Sequence, residues 1–153
     1  MPSAPYRRIL VAVDFSPTSE RAVREAARLA GKDGELLLVH AMPKLEPALP
    51  WSSVNRGVVA KLSREAQAQA RAALLEAAEA LRQTRTRTRV VVGGAAHERL
   101  LAEAKRSRAD LIVVGARGQT LSERLLIGST TERLVRKATL PVLVVPAVRR
   151  ARG

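Results

Sequence analysis

Short unbroken apolar runs alternate along this chain with longer stretches in which apolar residues recur every three or four positions. The runs are residues 8–14 (Arg-Ile-Leu-Val-Ala-Val-Asp), 36–41 (Leu-Leu-Leu-Val-His-Ala), 110–115 (Asp-Leu-Ile-Val-Val-Gly) and 142–145 (Val-Leu-Val-Val). Such near-continuous apolar segments read as strands buried on both faces. A further strand is expected at residues 87–92. Thr and Arg alternate before and into it from residue 84 to 89, a pattern suited to a sheet edge, where charge discourages pairing with another chain. The helical spacing places Val23, Ala26, Ala27 and Ala30 on one face, and Leu100, Leu101 and Ala104 on another. A long Ala-rich helix is predicted over residues 58–81, with Leu62, Ala66, Ala70, Ala73, Leu74, Ala77 and Leu81 on its buried side. The last helix is predicted over residues 129–137.

Boundary residues support the same division. Ser16-Pro17 offers a helix cap followed by proline at the first helical position, and Gly31 supplies the stop. Lys32-Asp33-Gly34 reads as a turn, residues 42–55 as a proline-containing loop, and residues 97–105 as the third helix. Five strands thus alternate with helices, without an internal repeat or a second domain. The expected fold is α/β, a single-domain open parallel five-stranded sheet with right-handed crossovers placing helices on both faces. One domain is assigned to residues 1–148, followed by a short basic tail at 149–153.

Composition narrows the function classes. A chain of 153 residues suits one domain with a real core, and with one Phe, one Tyr and one Trp that core is built from Val, Leu, Ile and Ala. The chain has no Cys, which excludes disulfides, thiolate chemistry and Cys-ligated metal sites. Its two histidines, His40 and His97, are too few for a histidine-rich metal centre, and no residue is assigned as a metal ligand. No apolar run approaches the roughly 20 residues of a membrane span. No signal peptide is expected, so a cytoplasmic location is the default. The net charge of +13 permits a polyanion partner. The bases are scattered over helices beside Glu, however, and lack interleaved aromatics for base stacking, so a solvated basic surface is the preferred reading over nucleic acid.

Candidate chemistry concentrates between Gly115 and Thr130. There the chain reads Gly-Ala-Arg-Gly-Gln-Thr-Leu-Ser-Glu-Arg-Leu-Leu-Ile-Gly-Ser-Thr, after one apolar strand and before a helix. A strand, a glycine-punctuated loop and a helix start let backbone N–H groups close around a phosphate. A side chain at Gly115, Gly118 or Gly128 is expected to block close approach to the phosphate or forbid a positive φ. Ser129 and Thr130 would present N–H groups at the positive end of the helix dipole, with Arg117 within reach of the phosphate. Ser129-Thr130-Thr131-Glu132 also matches a capping box, in which Ser129 caps its own helix. Asp14, at the carboxyl end of the first strand, faces the binding crevice or caps the following turn. Asp110 lies at the opposite end and reads as structural. His40 and His97, without a carboxylate at motif spacing, read as structural histidines rather than catalysts.

The spacing Gly, two residues, Gly, nine residues, Gly-Ser resembles the signature of the universal stress protein family, in its nucleotide-binding branch. The similarity extends to residues 13–19, to the strand around His40, and to the ending Ala-Thr-Leu-Pro-Val-Leu-Val-Val at 138–145. The resemblance implies a Rossmann-like, adenine nucleotide alpha hydrolase-like fold with strand order 3-2-1-4-5, and a switch point between the first and fourth strands. It implies that Asp14, in Val13-Asp14-Phe15-Ser16, contacts the ribose or an associated metal, and that the backbone of Ala41 bonds the adenine. It implies ATP with Mg2+ or Mn2+ as ligand, and a homodimer through the last strand. The chain lacks the Gly-x-x-x-x-Gly-Lys-[Ser/Thr] loop and the kinase motifs, and offers no general base. The leading reading is therefore an ATP-binding regulator of the stress response, with at most slow hydrolysis or self-phosphorylation. The alternatives are a slow ATPase, a polyanion-binding module, and a sensor of AMP or a cyclic nucleotide.

Overall fold

The computed structural model describes residues 5–46, 53–117 and 127–147. Nine elements follow in order: β1 (Arg8–Ala12), α1 (Pro17–Ala30), β2 (Glu35–Met42), α2 (Ser53–Glu79), β3 (Arg85–Val92), α3 (Ala96–Ser107), β4 (Leu111–Gly115), α4 (Ser129–Lys137) and β5 (Val142–Val145). All four strand pairings are parallel, in the order β3-β2-β1-β4-β5. The order is the expected one, and it makes β3 and β5 the edges. The tail at 149–153 and Gly118 lie outside the described residues.

Alternation along the strands builds two cores. Ile9, Val11, Leu38 and Val113 point to one face and pack against Ala22, Val23 and Ala26 of α1 and Leu74 of α2. Leu10, Val39, Ile112 and Val114 point to the other and pack against Leu100 and Ala104 of α3 and Leu134 of α4. Helices therefore cover both faces, which is why the central strands are apolar throughout. No helix among the described residues is long and apolar enough to cross a membrane.

Capping chemistry sets where α1 begins and ends. Ser16 is its N-cap, accepting a hydrogen bond from the Ser19 N–H at 3.1 Å, with Pro17 in the first turn. Gly31, at φ 62°, closes the helix through its N–H to the Ala27 carbonyl. Residue Ser19 then returns its hydroxyl to the Ser16 carbonyl at 3.2 Å, so the first turn is locked twice.

Several sequence expectations change; β3, for one, begins at Arg85 rather than at residue 87. The ladder of β1 ends at Ala12, although the Val13 N–H still reaches the Val39 carbonyl at 2.8 Å; Asp14 therefore lies just beyond the strand. Helix α2 starts at Ser53 and takes the last three residues of the expected 42–55 loop. Leu62, expected on the buried side, is 51% exposed. The reason is length. At 27 residues α2 is about 40 Å long, whereas the eight residues of β3 beneath it span about 26 Å. Leu74 and Ala70 sit over the sheet and are buried; Leu62, farther toward the start of the helix, overhangs it.

Candidate functional site

At the carboxyl ends of the central strands, β1 and β4 diverge into their crossovers on opposite faces and open a crevice. A cavity of about 610 Å³ fills it. Asp14, Ala41, Gly115, Arg117, Gly128, Ser129 and Thr130 all line this one cavity, although they come from four separate parts of the chain. Gly118 is the one sequence-predicted site residue outside the described residues.

The start of α4 is the chemical centre. Its N-cap is Gly128, which has no side chain to offer, so the helix begins without a side-chain cap. This overturns the capping box: Ser129 is the first helical residue and cannot cap the helix it already belongs to. The Gly128 carbonyl accepts from the Glu132 N–H at 2.9 Å, while the Gly128 N–H bonds the Ala116 carbonyl at 2.7 Å. Among the described residues nothing accepts from the N–H groups of Ser129 and Thr130. Unsatisfied donors at the positive end of a helix dipole suit an anion. Helix α3 also starts without a side-chain cap, at Ala95, and Ala96 lines the same cavity.

Of the two expected reasons for glycine, a positive φ does not apply at Gly115 or Gly128. Gly128 has φ −72°, open to any residue, so its value lies in lacking a side chain rather than in an unusual backbone. Gly115 does not have a positive φ either. A Cβ there would stand 2.8 Å from the Thr18 Cγ2 and 3.3 Å from the Thr18 backbone carbon. Gly115 therefore permits α1 to pack on the end of β4, which shapes the cavity indirectly.

The opposite wall comes from the β1–α1 turn. Phe15 holds φ 63°, a conformation that costs a bulky residue roughly 1 kcal/mol or more. Two contacts offset it. The Asp14 Oδ1 accepts from the Ser16 N–H at 3.0 Å, and the Phe15 ring lies 4.8 Å from that of His40. Asp14 thus caps the turn and faces the cavity at once, combining the two alternatives. The His40 Nδ1 lies 2.7 Å from the Val13 carbonyl, which can only accept, so Nδ1 carries the proton and the ring braces β2 against the end of β1. His97 is buried at the start of α3 and is not part of the cavity lining.

Some cavity residues were not legible in advance. Thr131 donates its hydroxyl to the Gly115 carbonyl at 2.8 Å, tying the start of α4 to the end of β4. Ser19 and Pro43 complete the walls. A threonine in a first helical turn looks the same in sequence whether it faces a strand end or solvent.

An open doubly wound sheet with an anion-ready helix start at its switch point defines a protein class rather than one protein. Comparison with known proteins narrows it. The model of the universal stress protein family matches residues 5–146. Universal stress protein A homolog 2 of Coxiella burnetii is 33% identical over 142 residues, covering 92% of this chain and 94% of that one. Universal stress protein MJ0577 of Methanocaldococcus jannaschii is 27% identical over 156 residues. Its solved structure superposes with a TM-score of 0.82, covering 95% of this chain and 99% of that one. A universal stress protein solved in complex with cAMP is 30% identical, with a TM-score of 0.58 and coverage of 92% and 97%. The chain belongs to the universal stress protein family.

Proposed function

We propose that this chain is a nucleotide-responsive regulator of the stress response that binds ATP, with Mg2+ or Mn2+, in the cavity at the switch point. The observation that carries this reading is the start of α4, where Gly128, Ser129 and Thr130 line the cavity without a side-chain cap. In this reading the N–H groups of Ser129 and Thr130 bind phosphate oxygens, and Arg117 adds positive charge. Gly118 belongs to the same phosphate loop. Asp14 accepts from the ribose hydroxyls or from water on the metal, and the Ala41 backbone reads the adenine edge. The cAMP complex of a relative supports an adenine nucleotide as the class of ligand. We assign no general base in the cavity: His40 lines it, but no carboxylate orients that ring, whose Nδ1–H is held by the Val13 carbonyl. The protein therefore acts by shifting between bound and free populations, with at most slow hydrolysis or self-phosphorylation.

We further propose a homodimer through β5. This edge strand carries the half-buried Val142, Leu143 and Val144, and Val135 on α4 nearby in sequence is 51% exposed.

Calorimetric titration of nucleotide-stripped protein with ATP and magnesium tests the site, with Gly128→Val beside it. The backbone at Gly128 admits valine, so the variant should stay folded while adding a side chain at the cavity wall. Saturable binding lost in the variant is the expected result, and competition by AMP and cAMP ranks the ligands. Absence of heat with ATP, together with no competition by any adenine nucleotide, sinks the proposal.

A further inference from the structure

Most basic residues are spread over separate helix surfaces, but those of β3 and α3 are not. The Arg/Thr alternation of β3 sends Thr86, Thr88 and Val90 toward α2, where they are half-buried. It sends Arg85, Arg87 and Arg89 to the other face, the side on which Val91 joins the α3 core. Helix α3 packs over β2 and β1 rather than over β3. The three arginines therefore stand in a row along an uncovered strip, about 6.6 Å apart at every second residue.

Helix α3 forms the second wall. Arg99, Glu103 and Arg106 recur at helical spacing on the side that meets β3, since Glu103 bonds Arg89 at 3.2 Å and Arg106 at 2.9 Å. Arg99 comes close to Gly94, just past the end of β3. At the lower end of the groove, Arg8 and Arg85 flank Glu35 in register across three strands. Glu35 bonds Arg85 at 2.7 Å and lies 3.9 Å from Arg87. Arg85 and Arg87 thus share Glu35, Arg89 and Arg106 share Glu103, and Arg8 and Arg99 add two more guanidinium groups at the ends of the groove. The arginine side chains on the strip are 44–76% exposed, so their charge reaches solvent. The Arg85 hydrogen bond, reinforced by Arg85, Arg87 and Arg8 charge, holds the Glu35 carboxyl below its usual range.

We propose that this groove between α3 and the edge strand β3 is a docking surface for the phosphate backbone of double-stranded DNA. Protection of the sheet edge alone would require neither all three arginines on one face nor Arg99 and Arg106 opposite them. A regularly spaced row of forked donors matches a regularly spaced row of phosphates. Single-strand binders add aromatic platforms, and the described aromatics are elsewhere: Tyr6 packs on the α1 core and Phe15 lies against His40. Binding is therefore by charge, independent of base sequence and steeply dependent on salt. None of the groove arginines lines the nucleotide cavity, so this proposal stands apart from the reading of that cavity.

The test is fluorescence anisotropy with a labelled DNA duplex over a salt series, using the full chain. Wild-type protein should bind, and the triple variant Arg85→Gln, Arg87→Gln, Arg89→Gln should lose at least about tenfold in affinity, with the log–log salt slope shallower by about 2.7 for three lost contacts. A control triple on α1 and the turn that follows it, Arg24→Gln, Arg28→Gln, Lys32→Gln, removes the same charge and should leave the slope unchanged. Glu35→Gln, which removes a carboxylate from the groove, should tighten binding. Circular dichroism confirms that each variant is folded, and ATP titration reports the cavity separately. Absence of duplex binding at low salt overturns the proposal. So does equal weakening by the two triples, or tighter binding of single strands than of duplex.

Discussion

The two ends of the sheet are built from the same strands and do opposite things with their polar groups. At the amino end the carboxylates are satisfied from within the protein. The Asp110 carboxylate accepts from the Arg7 and Arg8 N–H groups at 2.9 and 3.1 Å, and Glu35 is bonded by Arg85. At the carboxyl end, α1 is self-satisfied through Ser16 and Asp14, but α4 begins on Gly128 with no side-chain cap. A helix start that its own chain has capped has little left for a ligand, whereas an open one retains its donors. The cavity lies at the end where donors remain. Which end keeps open donors is decided by a few cap residues.

The strongest way to break this contrast is to substitute the glycine that only shapes the open end. Gly115→Val would drive a side chain into Thr18, including its backbone, with no flexible neighbour to give way. We expect a loss of about 1–3 kcal/mol or more in urea unfolding. Gly128→Val, by contrast, should unfold near the wild-type midpoint. Equal stability losses in both would mean that the two glycines share one role, and the distinction between packing and binding glycines would fail.

At the closed end, Asp110→Ala removes one acceptor from two backbone donors. These groups are exposed and can turn to water, so the expected loss is about 1 kcal/mol. Nucleotide affinity in calorimetry should not change, because the clip is a strand length away from the cavity. A large drop in affinity would show that the two ends are coupled.

Much of this division was legible in the sequence, for identifiable reasons. Helix α4 and strand β5 have the expected bounds, since Pro141 separates a helical period from an apolar run. The structural role of Asp110 followed from its place at the start of β4, and the edge position of β3 from its alternating arginines. The cavity residues were legible because strand ends and helix starts must meet at one end of a parallel sheet. What failed depended on distance through space. Local spacing identifies which side of α2 is apolar but not how far the sheet extends beneath it, so Leu62 was misplaced. The Thr18 neighbour of Gly115 is almost a hundred residues away in sequence, and no pattern near either residue announces the contact. The capping box at Ser129 failed because Gly128 already has the extended backbone of an N-cap, which makes Ser129 the first helical residue.

The smallest expected effect concerns Glu35, and its sign is fixed by the direction of its pKa. The Arg85 hydrogen bond and the surrounding guanidinium charges lower the folded value relative to the unfolded chain. A depressed carboxylate contributes stability that is present above the unfolded value and lost as pH falls through the folded one. Thermal melts of wild type and Glu35→Gln should therefore differ most at neutral pH and converge below the ordinary glutamate range. Arg85 is exposed to solvent, which screens the pair, so even the neutral difference should stay within about 1 kcal/mol and shrink with added salt. A gap that widens on acidification would mean that Glu35 is held in its protonated form, and the closed end would then not be satisfied by charge pairing.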